Sequence, residues 1–382
     1  MGGVVVVGAG VFGAWTAHHL QARGHTVTLI DAHGPANRLA SSGGETRMIR
    51  CTYGSDSIYT RMAWDSLSQW QALGETTGKD IFLPTGVLYF SHAGDAYIEQ
   101  SIAVFRDLKL PFELFDRGDM ESRYPMIDFN GVEIGLYEPK LGVLMAKRGV
   151  RALVDRFVRD GGTYKSGAVV PPRESEASLE HVMLASGERI GGDRFVFATG
   201  PWLPKLFPDA IGARILPTRQ EIFYFEAPAR SGSYLPGALP GWADFNGGDM
   251  YYGFPDIAGG GVKFAHDVHG PGVDPDTQDR EPSEAAIAEI VAFRDRRFPG
   301  LRGSPMVGAE VCQYENSSNG DFLIDFHPNM TNVLIVGGGS GHGFKHGPEV
   351  GRYAASLLFG DSAAEPRFSL ASKSATHRRE VH

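Results

Sequence analysis

Apolar and polar positions follow a strand–helix–strand rhythm near the start of the chain. Residues 4–7 form a continuous apolar run, which predicts a buried strand. Residues 14–23 predict a helix that Gly24 ends, and residues 26–30 predict a second buried strand closed by Asp31. A glycine-rich turn joins the first strand to the helix. This order is typical of a βαβ unit, whose two strands lie parallel in one sheet.

The glycines of this turn have the spacing GxGxxG, and each has a physical reason. The first permits a tight turn, the second lets the backbone approach a pyrophosphate, and the third lets the helix pack against the strand. The helix N terminus adds amide groups and a partial positive charge for the phosphates. An acid about 20 residues further on can accept a hydrogen bond from a ribose hydroxyl. The alternative is a glycine-rich loop that only turns the chain. The predicted dinucleotide contacts are Gly8, Gly10, Val11, Phe12, Gly13 and Asp31.

From about residue 86 the pattern changes to short β-rich segments separated by turns, which predict an antiparallel sheet. These segments include 86–90, 131–137 and 222–225. Further helices are predicted at 58–73, 151–159, 284–296 and 348–358, and further buried strands at 195–198 and 333–336. The polar tail after Pro366 is expected to be loose. The alternation predicts a dinucleotide domain in three pieces, residues 1–85, 146–213 and 300–382, and a β-rich substrate domain at 86–145 and 214–299.

Charge and cysteine content narrow the possible partners. The net charge is −9 without a basic block, which argues against nucleic acid or an anionic membrane surface. Two cysteines provide no disulfide framework, no segment is long and apolar enough to span a bilayer, and no signal-peptide pattern occurs. A cytoplasmic protein is therefore expected. His342 and His346 lie four residues apart without a suitably spaced carboxylate, so no metal site is expected.

The fingerprint alone does not separate NAD from FAD. Its position at the start of the chain favours FAD, and so does the later strand that ends in Ala198-Thr199-Gly200. An NAD-dependent dehydrogenase, or a nucleotide-binding module without catalysis, is the alternative of a different class.

Motifs in the second half of the chain carry a family resemblance. Residues 312–314, 321–328 and 337–348 resemble the flavin end of the sarcosine oxidase family, which belongs to the D-amino acid oxidase superfamily. Residues 41–53 and 251–277 support the match, which spans nearly the whole chain. The resemblance implies a two-lobed α/β fold, with an N-terminal Rossmann-like FAD domain and a β-rich mixed or antiparallel substrate domain.

The resemblance also implies an activity. The chain is expected to be an FAD-dependent oxidase of a small amino acid amine, such as an N-methyl or cyclic secondary amino acid. A hydride equivalent would pass to flavin N5, the imine product would hydrolyse, and oxygen would be reduced to hydrogen peroxide. A flavin dehydrogenase that uses another electron acceptor is the alternative. A monomer or a small homo-oligomer is expected.

Single residues acquire roles by the same resemblance. Cys312 matches a cysteine that carries FAD through a thioether, and Arg47 matches an arginine over one face of the flavin. Arg50 and Lys345 match the pair that grips the substrate carboxylate, although salt-bridged or surface roles are the alternative. Lys263 matches the lysine that promotes the reaction of reduced flavin with oxygen.

The resemblance also assigns further residues to the site. Tyr252 and Tyr314 match tyrosines that line the substrate cavity, and His342 lies in the stretch beside the flavin. Asp267 occupies a position where family members commonly have histidine, and Ser42 is followed by Gly43 where histidines often occur. An acid near the cavity puts sarcosine itself in question as the substrate. The other predicted cofactor contacts are Ser42, Thr46, Val170, Ala198, Thr199, Gly200, Trp202, Gly339, Gly341, Gly343 and Lys345.

Overall fold

A computed structural model describes residues 3–228, 232–246 and 249–377 of the chain. The strands of these residues are β1 (Gly3–Val7), β2 (Thr26–Asp31), β3 (Thr46–Ile49), β4 (Phe82–Leu83), β5 (Val87–Ser91), β6 (Glu113–Asp116), β7 (Ile134–Glu138), β8 (Gly142–Met145), β9 (Thr163–Ser166), β10 (His181–Met183), β11 (Arg189–Gly191), β12 (Arg194–Phe197), β13 (Ile215–Phe225), β14 (Gly241–Asn246), β15 (Asp249–Phe254), β16 (Val262–Asp267), β17 (Met306–Ser317), β18 (Leu323–Phe326) and β19 (Val333–Gly337). The helices are α1 (Val11–Ala22), α2 (Ser57–Thr77), α3 (Ala96–Leu108), α4 (Arg117–Arg123), α5 (Ala146–Arg159), α6 (Leu203–Leu206), α7 (Glu284–Arg297) and α8 (Gly347–Leu358).

A six-stranded sheet carries the N-terminal motif. Its order is β18-β19-β12-β1-β2-β9, and all neighbours are parallel except the antiparallel pair β18 and β19. The four valines of β1 are all buried, as expected for a central strand covered on both faces. β12 and β2 flank β1 on opposite sides, so the strand order reverses there. In such sheets ligands bind beyond the carboxyl ends of the strands at this point.

A second, eight-stranded sheet forms the β-rich part of the molecule. Its order is β17-β13-β16-β15-β14-β5-β7-β6. β14 and β5 are parallel, whereas the other neighbours are antiparallel, so the sheet is mixed. The predicted fold, a Rossmann-like α/β sheet combined with a β-rich mixed sheet, is confirmed.

Strand β17 shows how the chain pieces interlock. β17 lies in segment 300–382, which the sequence assigned to the dinucleotide domain, but it pairs with β13 in the eight-stranded sheet. The strands that follow, β18 and β19, join the six-stranded sheet. The division of the chain into two domains at the predicted residues stays a prediction.

Small sheets and helix ends complete the frame of the site. β3 pairs with β8, and β8 with β4, in a three-stranded sheet that fixes the segment before Arg50. α1 and α8 cross closely because Gly351 has no side chain: a Cβ there would lie 2.5 Å from the carbonyl carbon of Trp15. Asp56 caps the N terminus of helix α2, because its side chain accepts a hydrogen bond from the amide of Ile58. The hydrophobic pattern did not predict α3, α4 and α6.

The C-terminal tail corrects one expectation. The Arg367 guanidinium forms ion pairs with Asp56 at 2.6 Å and with Asp321 at 2.5 Å. Phe368 is buried, and the amide of Leu370 donates to Asp325 at 2.8 Å. The prediction of a loose tail after residue 366 was therefore wrong for residues up to 377, because its few apolar and charged side chains find partners on the core.

The described ranges contain neither a membrane-spanning helix nor a cluster of metal-binding side chains. None of the helices in residues 3–228, 232–246 and 249–377 combines the length and the apolar composition needed to cross a bilayer. The same ranges contain no group of three or more histidine, cysteine, aspartate or glutamate side chains placed to hold a metal ion.

Candidate active site

Two cavities lie on either side of strand β17. Glu315 lines a cavity of about 400 Å³ at the carboxyl ends of β1, β2 and β12, and its chain neighbour Tyr314 lines a smaller cavity of about 60 Å³. The larger volume lies within the usual range of about 300–1,000 Å³ for ligand sites. The predicted contacts that line the larger cavity are Gly8, Gly10, Val11, Phe12, Asp31, Ser42, Ala198, Thr199, Gly200 and Trp202.

The three fingerprint glycines are required for different reasons. Gly8 has a φ of +103°, and a Cβ there would lie 2.3 Å from the carbonyl oxygen of Ala198. A Cβ on Gly13 would lie 1.8 Å from the carbonyl oxygen of Gly8, so helix α1 could not pack as it does. At Gly10 the nearest atom to a Cβ would be Ser42 Oγ at 3.6 Å, an ordinary contact. The protein therefore leaves open space over Gly10, which suits the close approach of a ligand phosphate.

The side chains of Ser42 and Asp31 hold the glycine-rich turn through hydrogen bonds to its backbone. Ser42 Oγ accepts a hydrogen bond from the amide of Val11 at 3.1 Å. One carboxylate oxygen of Asp31 accepts from the amide of Ala9 at 2.7 Å, and the other accepts from the amide of His33 at 2.9 Å. Each carboxylate oxygen has a second lone pair, so Asp31 can also accept from a ribose hydroxyl.

Unsatisfied polar atoms show that this cavity fits a polar cofactor such as FAD. In the described part of the chain, Ser41 Oγ, Thr199 Oγ1 and Glu315 Oε2 are buried and form no hydrogen bond. All three residues line the larger cavity. Because buried polar groups in folded proteins nearly always have partners, three such atoms in one cavity indicate groups that a bound molecule satisfies. The glycine turn and these atoms together fit a dinucleotide.

The smaller cavity collects the residues predicted for the substrate. They come from segments more than 200 residues apart, which the three sheets bring together. Its walls include Arg50, Tyr252, Asp267, Tyr314, His342 and Lys345, together with Arg47 and Gly341 of the predicted flavin contacts.

Arg50 is a buried permanent cation. It directly follows β3, its Nη1 donates to the carbonyl of Thr52, and its Cζ lies 4.3 Å from the centre of the Tyr53 ring and 5.5 Å from that of Tyr89. Burial opposes its charge, but the surrounding phenol groups and Glu138 outweigh burial and raise the pKa of Arg50 above its usual value. The guanidinium therefore stays charged, and aromatic faces support it.

Lys345 is the second cation of this cavity. Its Nζ donates to the carbonyl of His342 at 2.8 Å and lies 5.1 Å from the centre of the Tyr53 ring. Burial, and then the neighbouring charge of Arg50, lower the pKa of Lys345 well below its usual value. The indole of Trp70 fixes the backbone here, because its Nε1 donates to the carbonyl of Lys345 at 2.9 Å. An incoming carboxylate would relieve the repulsion between the two cations.

A tyrosine–aspartate pair forms another part of the wall. The hydroxyl of Tyr314 donates to Asp267 at 3.0 Å. Burial, and then the charge of Asp267, raise the pKa of Tyr314 well above its usual value and that of Tyr252 to about 12. Both phenols are therefore neutral at physiological pH.

Lys263, Arg47 and Cys312 meet beside the segment that contains Ser41 and Thr46. Lys263 is 2% exposed, and its Nζ donates to the carbonyl of Thr46 at 3.1 Å. The Arg47 guanidinium donates to the carbonyls of Thr46 and Ser41, each at 2.7 Å, and lies 3.9 Å from Cys312 Sγ. Burial, and then the charge of Arg47, lower the pKa of Lys263 to about 7.

His342 is held by both of its ring nitrogens. Nδ1 lies 3.3 Å from the hydroxyl of Tyr53, and Nε2 lies 3.2 Å from the carbonyl of Gly320. The same hydroxyl lies 2.7 Å from Nε2 of His346. This network orders the glycine-rich turn before α8.

Several predicted contacts lie outside the two cavities. Val170 is 40% exposed and lines neither cavity, although Val169 and Pro171 line the larger one. Gly339 and Gly343 also line neither, and Gly343 is required by packing, since a Cβ there would lie 2.8 Å from the Phe12 ring. Gly13, Thr46, Cys312 and Lys263 also line neither cavity.

The structure adds lining residues that the sequence reading missed. Tyr89, Met250 and His269 line the smaller cavity, and Ser41 and Glu315 line the larger one. An acid directly after Tyr314, which the resemblance assigns to the substrate cavity, is a signal that would have identified Glu315. The others carry no signal in the sequence.

Comparisons with known proteins identify the family of the chain. The family model described as DAO, FAD dependent oxidoreductase, matches residues 3–357. Monomeric sarcosine oxidase of Bacillus sp. (strain B-0618) is 30% identical over 360 residues, which cover 93% of this chain and 91% of that protein. N-methyl-L-tryptophan oxidase of Salmonella arizonae is 28% identical, with coverage of 92% and 93%. The crystal structure of L-proline dehydrogenase from P. horikoshii has a TM-score of 0.82 over 96% of both chains at 20% identity, which shows a shared fold.

The glycine geometry gives a testable prediction. Gly10→Ala should leave the fold intact, because the added methyl makes only an ordinary contact, but should weaken FAD binding by about tenfold (1.4 kcal/mol) or more. Flavin absorbance per protein and the melting temperature of the apoprotein measure the two effects. Gly3→Ala, where a Cβ would meet nothing within 4 Å, is the matched control. A Gly10→Ala protein with full flavin content would contradict the assignment.

Proposed function

The chain belongs to the DAO family of FAD-dependent oxidoreductases, and on this basis we propose that it oxidises a small secondary α-amino acid with oxygen as electron acceptor. The substrate would be an N-methyl or cyclic amino acid. The observation that carries this proposal is the placement of two buried basic side chains, Arg50 and Lys345, in one cavity of about 60 Å³ with neutral tyrosines. The names of the relatives, which include oxidases of sarcosine and of N-methyl-L-tryptophan, support the substrate class.

The larger cavity would hold the cofactor. The turn at Gly10, the carboxylate of Asp31 and the unpaired atoms of Ser41 and Thr199 would bind the adenosine diphosphate part and the adjoining segment. Bound FAD supplies the two-electron acceptor for the C–H bond next to the substrate nitrogen, and oxygen takes the electrons on to give hydrogen peroxide.

Arg50 and Lys345 would bind the substrate carboxylate. A guanidinium offers a bidentate, permanently charged partner, and the lysine adds a second positive charge in a space shielded from water. A bound carboxylate would raise the lowered pKa of Lys345, so the lysine would be protonated in the complex. The carboxylate end of the substrate is thereby fixed at the cation side of the cavity.

Tyr314 and Asp267 would orient the amine. The hydroxyl proton of Tyr314 is committed to Asp267, so the phenol oxygen keeps lone pairs that can accept an N–H of the substrate. The amine reacts in its neutral form, and the nearby Asp267 carboxylate favours the protonated form. The hydrogen bond from Tyr314 weakens that pull, because it partly neutralises the carboxylate.

Lys263 would assist oxygen. Oxygen that accepts one electron becomes an anion, and an ammonium group fixed in a water-excluded place stabilises it. Lys263 is buried, and Thr46 holds its Nζ beside Arg47 and Cys312, where the flavin would be carried. Cys312 would attach FAD covalently through a thioether, with its thiol 3.9 Å from the Arg47 guanidinium.

A substrate screen tests the function as a whole. Purified holoenzyme should release hydrogen peroxide with sarcosine, other N-methyl amino acids, L-proline or L-pipecolate, and not with primary amino acids. Peroxide is measured with a peroxidase-coupled dye, and an artificial electron acceptor is tested in parallel without oxygen. Substrate-dependent reduction of the acceptor with no peroxide would identify a dehydrogenase instead. A protein that takes up no flavin would contradict the proposal entirely.

Removal of the permanent cation tests carboxylate binding. Arg50→Ala should weaken substrate or carboxylate inhibitor binding by about 2–5 kcal/mol, because a buried charge loses its partner. Arg50→Lys should lose less, since it keeps one charge but not the bidentate geometry. Arg61→Ala, on the exposed surface of α2, is the control. Equal inhibitor dissociation constants for Arg50→Ala and the parent would exclude this role.

The pKa of Lys263 predicts a pH effect on the reaction with oxygen. The ammonium form is present below the pKa of about 7 and is lost above it, so the oxygen reaction should slow as pH rises through that value. Lys263→Met should be slower by about 10²-fold and should lose this pH dependence, while flavin reduction by substrate persists. Stopped-flow mixing of the reduced enzyme with oxygen measures the rate. An unchanged rate in Lys263→Met would refute the assignment.

Acid precipitation tests the covalent link. Parent protein should keep its yellow colour in the pellet, whereas Cys312→Ser should release all flavin to the supernatant. Cys51→Ser should behave as the parent, because Cys51 is buried away from both cavities. Release of all flavin from the parent would show that no thioether forms.

A further inference from the structure

Glu315 is a buried acid at the boundary of the two cavities. Glu315 lies on strand β17 and is 7% exposed. Glu315 lines the larger cavity, while Tyr314, the residue before it, lines the smaller one. A cofactor that reached from the Gly10 turn towards Cys312 would therefore pass Glu315. Its Oε2 is one of the unpaired polar atoms noted above for the larger cavity, but no specific role has been assigned to it.

The two oxygens of Glu315 differ in their surroundings. Oε1 accepts a hydrogen bond from the amide of Gly339 at 3.2 Å. Oε2 is buried and has no partner in the described ranges. Glycines flank Oε2: a Cβ on Gly200 or on Gly337 would each lie 3.4 Å from it. An unpartnered oxygen in a glycine-lined cavity marks a place where a ligand atom completes the hydrogen bonding.

No positive side chain neutralises Glu315 within the part of the chain that the structure describes. The residue opposite it on β13 is Pro217, and the turns at 199–202 and 337–341 carry no ionisable side chain. The titratable residues that line the same cavity are Asp31, His33, Lys205 and Asp276. Lys205 is engaged elsewhere, because its Nζ forms ion pairs with Asp274 and Asp276. Burial therefore raises the pKa of Glu315 to about 7, against the opposing effect of the amides of Gly339 and Gly338.

Bound FAD would favour the neutral acid further. Its pyrophosphate is negatively charged, so an ionised carboxylate in the same cavity would be repelled. FAD would also displace water from the cavity and lower the local dielectric. In the protonated form, Oε1 can keep accepting from Gly339 while Oε2 carries the proton into the cavity.

We propose, on the premise that FAD occupies this cavity, that Glu315 binds it as a neutral carboxylic acid. Oε2 donates a hydrogen bond to an oxygen of the ribityl–pyrophosphate segment. Glu315 is thus a cofactor-binding residue whose proton is part of the binding site. FAD binding is accompanied by the uptake of one proton when the free carboxylate starts out ionised.

The sign of the pH dependence follows from this linkage. Below the pKa of the free protein, about 7, the acid is already protonated and FAD affinity is constant. Above that pH the carboxylate must first gain a proton, so affinity falls by up to about tenfold per pH unit. A carboxylate that accepted a hydrogen bond from a ribityl hydroxyl would give the opposite profile, with affinity falling as pH decreases.

Equilibrium binding of FAD to apoprotein tests the proposal. Cys312→Ser apoprotein is used as the parent, so that binding is reversible whether or not a thioether forms. Quenching of FAD fluorescence gives the dissociation constant at pH values on both sides of 7. Affinity should be flat at low pH and fall at high pH. Calorimetry in buffers of different ionisation enthalpy should show proton uptake above pH 7. The profile needs no change at Glu315, so it does not depend on the folding of a variant.

Variants in the same background sharpen the result. Glu315→Gln keeps a donor without a charge, so it should match the parent at low pH and bind FAD more tightly than the parent at high pH. Glu315→Ala should bind more weakly at low pH. His33→Asn, which removes the imidazole that lines the same cavity, should keep the pH dependence.

Two results would overturn the proposal. One is parent affinity that is flat across this pH range or rises with pH, and the other is Glu315→Gln binding weaker than the parent at low pH while both apoproteins melt alike. These measurements use no amine substrate, so the substrate proposal can fail while this one stands. A protein that binds no FAD at any pH contradicts both.

Discussion

The pairing of β17 with β13 is the constraint on which the site depends. It fixes the register from Ile215 and Ser317 through Tyr224 and Gly308. Because successive side chains of a strand point to opposite faces, Tyr314 and Glu315 enter different cavities. A shift of one residue would exchange them and remove Cys312 from its place beside Arg47. This one ladder of hydrogen bonds thus places consecutive residues of β17 in the walls of two different cavities.

Buried charge is the main cost of this arrangement. Arg50, Lys345 and Lys263 are each less than 5% exposed, and removing an ion from water costs on the order of several kcal/mol. The fold offsets part of this cost with carbonyl acceptors and aromatic faces, and Glu138 adds a favourable charge near Arg50. The pKa values of Lys263 and Lys345 are lowered because the rest of this desolvation cost is not offset. An anion bound beside Arg50 and Lys345 would offset part of the remaining cost, which is the basis for proposing an amino acid substrate.

The elements were predictable where a local pattern was strong. The valine run of β1, the GxGxxG turn and the strand ending at Asp31 lie where periodicity and turn chemistry predict them. Helices α3, α4 and α6 were missed. The tail was wrongly expected to be loose, because the partners of Arg367, Asp56 and Asp321, are distant in sequence. Long-range contacts of this kind leave no periodic signal.

The sequence by itself determined the dinucleotide turn, through the steric needs of Gly8 and Gly13, and the types of residue available for chemistry. The resemblance then supplied candidate roles for Arg50 and Lys345. Only the tertiary structure decided which side chains share a cavity, because sheet register and helix crossing bring residues more than 200 positions apart together. It likewise decided protonation, since the pKa of Glu315 or Lys263 depends on burial and on neighbours that no local pattern specifies.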